Sequence, residues 1–161
     1  MRRPGSSTTI SGLGASSRPI HGSRAAATTW RRASFEQLGF KLGVIGPGQP
    51  STLYHAETEQ EAFLILAGTC TAVLEDEVRE LRAWDFVHCP PGTRHTFVNT
   101  SDEPCVLLMV GARTEDGSIV YPPSDVAGRL GAAVDTKTDD PGVAYANRPH
   151  WRNADGPPDA L

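Results

Sequence analysis

The sequence predicts an all-β fold of the sandwich or barrel type. Three observations carry that expectation. Between residues 40 and 112 the chain divides into about eight short runs, most of them alternating apolar and polar residues. The chain's 16 glycines and 13 prolines favour many turns and short strands over long helices. No run alternates with a long helical pattern, which argues against a parallel α/β sheet. At 161 residues, the chain holds one ordinary domain with some sequence to spare.

Residues 1–34 are rich in Ser, Thr, Ala, Gly and Arg and poor in large apolar side chains. Such a segment cannot bury enough surface to offset its ordering entropy, so a disordered basic tail is expected. The same acid-free, Arg-rich and Ser-rich composition also describes an organelle transit peptide. The barrel is expected over 35–113. In order, "FKLGVIG" alternates, "STLYH" is short and followed by acids, and "EAFLIL" is apolar at consecutive positions and runs to Gly68. "TCTAVLED" alternates, "EVRELR" follows, and "DFVHC" ends at Pro90-Pro91-Gly92. "HTFVN" and "PCVLLMVGA" complete the set. Residues 114–161 form a C-terminal extension with one strand-like piece in "GSIVY" and one short helix, capped at Ser124 and closed near Gly131.

Two of these strands, "AFLIL" and "CVLLMV", lack the alternation of a strand with one wet face. Both of their faces need cover, from a second sheet or a second subunit, so a homodimer is expected.

The formal net charge of −4 hides an asymmetry. Six arginines and no acid fall within residues 1–35, leaving 9 basic against 19 acidic residues in the rest. An acidic body argues against a nucleic-acid partner, because phosphate binding needs clustered Lys and Arg. No apolar run approaches the roughly 20 residues that span a bilayer, so no membrane partner and a cytoplasmic location are expected. Cys70, Cys89 and Cys105 are odd in number, widely spaced and set in apolar stretches. They read as small buried hydrophobes, not as a zinc ribbon or a disulfide scaffold.

The chemistry concentrates in two stretches. "PPGTRHTFVN" contains P-x-G-x-x-H-x-x-x-N as Pro90, Gly92, His95 and Asn99. A tight turn there ends one strand, and His95 opens the next on the same face as Phe97 and Asn99. "YHAETEQEAFLIL" places His55, Glu57, Glu59 and Glu61 just ahead of an apolar run. Such acids are usually a solvated turn, but they can also ligate a metal.

Together these stretches resemble the cupin superfamily, over about residues 40–112. The second cupin motif, G-x5-P-x-G-x2-H-x3-N, is met from Pro90 to Asn99, with Trp84 in place of its opening glycine. The first motif, G-x5-H-x-H-x3,4-E-x6-G, is met in part. His55 stands for the first histidine, Glu61 and Gly68 satisfy E-x6-G, and Glu57 replaces the second histidine. The gap from Gly48 to His55 is one residue longer than the pattern. The resemblance implies a double-stranded β-helix, or jelly-roll, barrel. It also implies that His55, Glu57, Glu61 and His95 converge on one divalent ion. Two imidazoles and two carboxylates suit Fe, Mn, Zn or Ni. Glu57 has a competing reading as a solvated turn residue, and His88 could line the cavity or pack in the core. Arg82 and Arg94 are candidate clamps for a substrate.

The implied function is a metal-dependent enzyme on a small molecule, of dioxygenase, isomerase or decarboxylase type. The alternatives are a non-catalytic ligand-sensing barrel and a barrel without functional metal. Fold alone does not choose among them.

Overall fold

The computed structural model describes residues 24–26, 35–148 and 151–154. In chain order the elements are β1 (Arg24–Ala26), β2 (Leu38–Ile45), β3 (Ala56–Glu57), β4 (Glu61–Ala67), β5 (Thr69–Leu74), β6 (Glu77–Arg82) and β7 (Phe86–Cys89). They continue with β8 (His95–Val98), β9 (Cys105–Ala112), β10 (Ile119–Val120), α1 (Asp125–Arg129), α2 (Pro141–Ala144) and β11 (Arg152–Ala154). A six-stranded sheet runs β11-β1-β2-β9-β4-β7, a three-stranded sheet runs β6-β5-β8, and β10 pairs with β3.

The two larger sheets share one apolar core. Ile45, Phe63, Ile65, Leu107 and Met109 from the first meet Cys70, Ala72 and Phe97 from the second. Full burial of a side chain such as Ile65 or Phe97 contributes roughly 1.5–3 kcal/mol. The expected all-β jelly roll is therefore the fold observed. On β4, Phe63 and Ile65 are buried while Leu66 is exposed. The second sheet thus covers one face of this apolar strand. Its other face belongs to an apolar row that crosses four strands, Leu42–Leu108–Leu64–Phe86.

Rows on the inner face follow from the same registers. Gly39, Gly111, Glu61 and Cys89 lie side by side, and Lys41, Met109, Phe63 and Val87 form the next row. Glu61 is thus aimed inward by strand alternation. Gly68 ends β4 at φ +75°, and a Cβ there would stand 2.4 Å from the Pro104 carbonyl oxygen, so only glycine fits.

Three local outcomes differ from the sequence reading. The disordered tail expected over 1–34 is corrected at Arg24–Ala26, which pairs with β2 and β11; the remainder of that segment lies outside the described residues. The edge of β2 offers unpaired backbone groups, a signal that side-chain pattern does not carry. "STLYH" forms no strand of its own. Its backbone instead bonds the C-terminal extension, with Leu53 N–H donating to the Tyr145 hydroxyl (2.9 Å) and Tyr54 N–H to Ala132 O (2.6 Å). α2 was not anticipated. Asp140 accepts from Gly142 N–H at 2.7 Å and Pro141 opens the helix, but four residues are too few for a periodic signal.

Trp84, where the motif has glycine, adopts φ +75°. The turn keeps its left-handed backbone although the residue has changed. Asn99, at the other end of the motif, is fully buried. Its amide donates to Ile45 O (2.8 Å) and Glu103 O (2.7 Å), and its Oδ1 accepts from Ser101 N–H (2.9 Å) and Oγ (2.7 Å). The motif's asparagine therefore locks the turn between β8 and β9.

Candidate metal centre

His55 and His95 form an isolated antiparallel bridge. Each backbone N–H donates to the other's carbonyl, at 3.1 and 2.8 Å. Directly paired residues send their side chains to the same face, and the two imidazole centroids stand 4.6 Å apart. Both residues are buried. Each ring is also held from behind. His55 Nδ1–H donates to Leu53 O at 2.7 Å, and His95 Nδ1–H donates to Thr93 O at 3.0 Å. A carbonyl can only accept, so each neutral ring keeps its proton on Nδ1 and presents a bare Nε2 lone pair.

Glu61 Oε2 lies 3.1 Å from His95 Nε2 and 3.8 Å from His55 Nε2. The three donor atoms fall within 4.8 Å of one another. His95 Nε2 and Glu61 Oε2 are buried and 3.1 Å apart, and neither has a regular hydrogen-bond partner among the described residues. Buried polar atoms seldom lack partners. Two Nε2 atoms on back-anchored rings, beside a buried carboxylate oxygen, fit a divalent cation of the zinc, iron, manganese or nickel type, whose binding would displace any proton on His95.

The electrostatics separate the two histidines. Burial and the neighbouring His95 push His55 down to about 4, which keeps it neutral at pH 7. Burial opposes the charged form of Glu61, yet His95 and His55 hold its carboxyl below the usual carboxylate range. Burial likewise opposes the His95 cation, but Cys89 and Glu61 carry it up to about 10. The site thus favours a positive charge beside Glu61, which a metal ion would also supply.

Of the four residues expected here, the structure brings three together. Glu57 stands at the rim. Its Oε1 lies 3.7 Å from His55 Nε2, but it does not join the three-residue group. Burial and Glu61 push its carboxyl up to about 7. Glu57 also lines a groove of about 340 Å³ with Thr58, Pro91, Gly92, Ser118 and Ile119. Phe63, 5.1 Å from His95, and Tyr121, 5.8 Å from His55, wall the centre with rings.

Other sequence-level candidates go elsewhere. His88 is exposed and its Nε2 meets Gln60 Oε1 at 3.0 Å, because strand alternation turns it outward. Arg94 is paired with Glu75 at the β5–β6 turn, and Arg82 is exposed at the end of β6. Cys89, read as a buried hydrophobe, is buried, but it also sits opposite Glu61 and acts on His95. The only signal for that placement is that Cys89 ends the strand before the motif turn.

A family model described as Cupin domain matches residues 41–111. Among solved structures, a provisionally assigned sugar phosphate isomerase from Acidithiobacillus ferrooxidans is 31% identical, with a TM-score of 0.50, over 52% of this chain and 55% of that one. The chain therefore spans only about half the length of that protein. A cupin-superfamily sugar phosphate isomerase from Silicibacter pomeroyi is 25% identical, with a TM-score of 0.54, over 66% of this chain and 79% of that one. No match was found among curated proteins. Among the described residues, no helix is long and apolar enough to cross a membrane. The motif from Pro90 to Asn99, the two packed sheets and the family match agree that residues 41–111 of this chain are a cupin domain.

Proposed function

We propose that this chain is a metal-dependent enzyme acting on a small oxygenated molecule, with a phosphorylated sugar as the substrate class. The observation that carries the metal reading is the convergence of His55 Nε2 and His95 Nε2, on rings anchored through Nδ1, with the buried Glu61 Oε2. The proposed ligands are His55, Glu61 and His95, joined by Glu57 from the rim. A divalent ion held by these residues would supply a Lewis acid for a substrate carbonyl or hydroxyl oxygen. Phe63 and Tyr121 wall the centre, and the groove beside Glu57 is within the size range of small-molecule sites. The sugar phosphate isomerase from Silicibacter pomeroyi and the provisionally assigned one from Acidithiobacillus ferrooxidans support the substrate class and point to isomerisation.

We further propose a homodimer, in which the outer row Leu42–Leu108–Leu64–Phe86 is covered by a second copy. Phe86 at 65% and Trp84 at 79% exposed support it. A cytoplasmic location is supported by three unpaired cysteines, all buried.

The test is metal analysis of protein purified without chelator or nickel resin, followed by a turnover screen on phosphorylated sugars. About one divalent ion per chain is expected in the wild type and almost none in the His55→Ala/His95→Ala double variant. Equal metal in both would sink the reading.

A further inference from the structure

The inner row Gly39–Gly111–Glu61–Cys89 has an unusual feature at its far end. A Cβ on Gly39 would stand 2.6 Å from Arg113 Nη2 and 2.7 Å from its Nε. The Arg113 guanidinium therefore rests on Gly39, in the space that a side chain would fill. Gly39 pairs with Gly111, and Gly111 pairs with Glu61. A Cβ on Gly111 would point towards Glu61, 3.8 Å from its Cγ. The three positions share one face, and that face is the inner one. Strand parity agrees, since Leu107, Met109 and Gly111 face inward and Arg113 is the next position of that set.

Arg113 thus turns inward at the end of the barrel that carries the metal-ligand candidates. Two strand spacings separate Gly39 from Glu61, about 10 Å. Among the described residues the Arg113 guanidinium has neither an ion pair nor a hydrogen bond, whereas Arg79 and Arg94 are both paired with glutamates. Arg113 is also exposed, so a ligand can reach it. An unpaired guanidinium with five N–H donors, at the edge of a centre built from carboxylates, has no structural task here.

We propose that Arg113 is the residue that selects the substrate, by binding the oxyanion of a small ligand whose polyol end reaches the centre at His55, Glu61 and His95. The planar fork matches two oxygens of a phosphate monoester, or of a carboxylate, in a bidentate pair. Gly39 is part of the device, because any larger residue would displace the fork. The assignment rests on the small-molecule reading above and names the group that would recognise its anionic end.

Calorimetric titration with ribose 5-phosphate, gluconate and ribose tests this, with metal content measured on the same samples. The wild type should bind ribose 5-phosphate saturably and ribose at least tenfold more weakly. Arg113→Gln should weaken ribose 5-phosphate binding tenfold or more, with Arg113→Lys intermediate because a point charge cannot bind bidentately. Gly39→Ala keeps the arginine but moves it, and should cost severalfold. Arg82→Gln, remote from the site, should change nothing. Unchanged melting temperatures would show that Arg113→Gln and Gly39→Ala still fold. Equal ribose 5-phosphate affinity in the wild type and Arg113→Gln, or no saturable binding of either anion, overturns the assignment. Arg113-dependent binding of gluconate alone supports the clamp and removes the sugar-phosphate reading. Arg113-dependent binding without metal in any sample supports the clamp and removes the metal reading.

Discussion

His55 and His95, 40 positions apart in sequence, are a directly paired couple that exchange both backbone hydrogen bonds. That pairing sets the spacing of the two imidazoles, and the carbonyls of Leu53 and Thr93 set which nitrogen each presents. The ligand geometry is thus held by backbone, which no side-chain substitution outside the site easily disturbs.

From this follows a graded response to ligand substitution. His95→Ala and Glu61→Gln should each reduce metal affinity by at least about a hundredfold, because even the outer partners of metal ligands are worth 10–100-fold. Glu57→Ala should cost much less, since water can take a rim position. Glu57→His should keep or tighten zinc and nickel binding, which imidazole suits. Competition titration with a metal indicator measures all four, and equal losses at Glu57 and His95 would refute the ranking.

Asn99→Ala should destabilise the fold without touching the site. It strands the carbonyls of Ile45 and Glu103 and removes the acceptor of Ser101. Unsatisfied buried groups cost about 1–3 kcal/mol each, so a loss of about 2 kcal/mol or more is expected. Urea unfolding checks this, and a loss under about 0.5 kcal/mol would contradict the locking role.

Trp84→Gly should raise stability by up to about 1 kcal/mol. A non-glycine residue in the left-handed region costs roughly 1–2 kcal/mol, of which the entropy of a glycine returns part. The Trp84 side chain is 79% exposed and gives up little burial in the monomer. Trp84→Val should be destabilising, since a β-branched residue resists φ +75°. A more stable valine variant would contradict the strain argument. If the indole belongs to the dimer interface, dimer affinity falls at the same time.

Lys41 should contribute stability that grows with pH between about 7 and 10, against the loss that His95, carried up to about 10, contributes over the same window. Burial pushes Lys41 down to about 7 in the folded chain, whereas the unfolded side chain titrates near 10.5. Across that window the unfolded state holds the extra proton at Lys41, so this group favours folding as pH rises, by at most about 1.4 kcal/mol per pH unit. The Trp151 ring, 3.4 Å from Lys41 Nζ, opposes this by favouring the ammonium, and burial is the larger effect because the amine leaves water. Above pH 10 the trend reverses, because burial pushes Tyr54 and Tyr145 up to about 12. Unfolding curves for wild type and Lys41→Met decide it. Relative to the variant, the wild type should gain stability across this window, and parallel curves would mean that Trp151 keeps the lysine charged.

The sequence determined the fold class and most of the site on its own. Both are written in local pattern. Alternation in "TCTAVL" and apolar runs such as "AFLIL" report strands, because side chains leave a strand on alternate faces. The spacing from Pro90 to Asn99 reports a turn and the strand that follows it. Glu61 and His95 could be named because motif spacing fixes them. Only the tertiary structure decided the rest, because those features depend on register between strands distant in sequence. It placed Glu57 at the rim and outside the three-residue group. It turned His88 outward through its pairing with Ala62, and it drew Leu53 and Tyr54 into bonds with the C-terminal extension. It set the Arg113 guanidinium on Gly39, 74 positions earlier in the chain. No local pattern records such a contact, because it forms only when β9 pairs with β2 and the missing side chain of a glycine leaves room for an arginine.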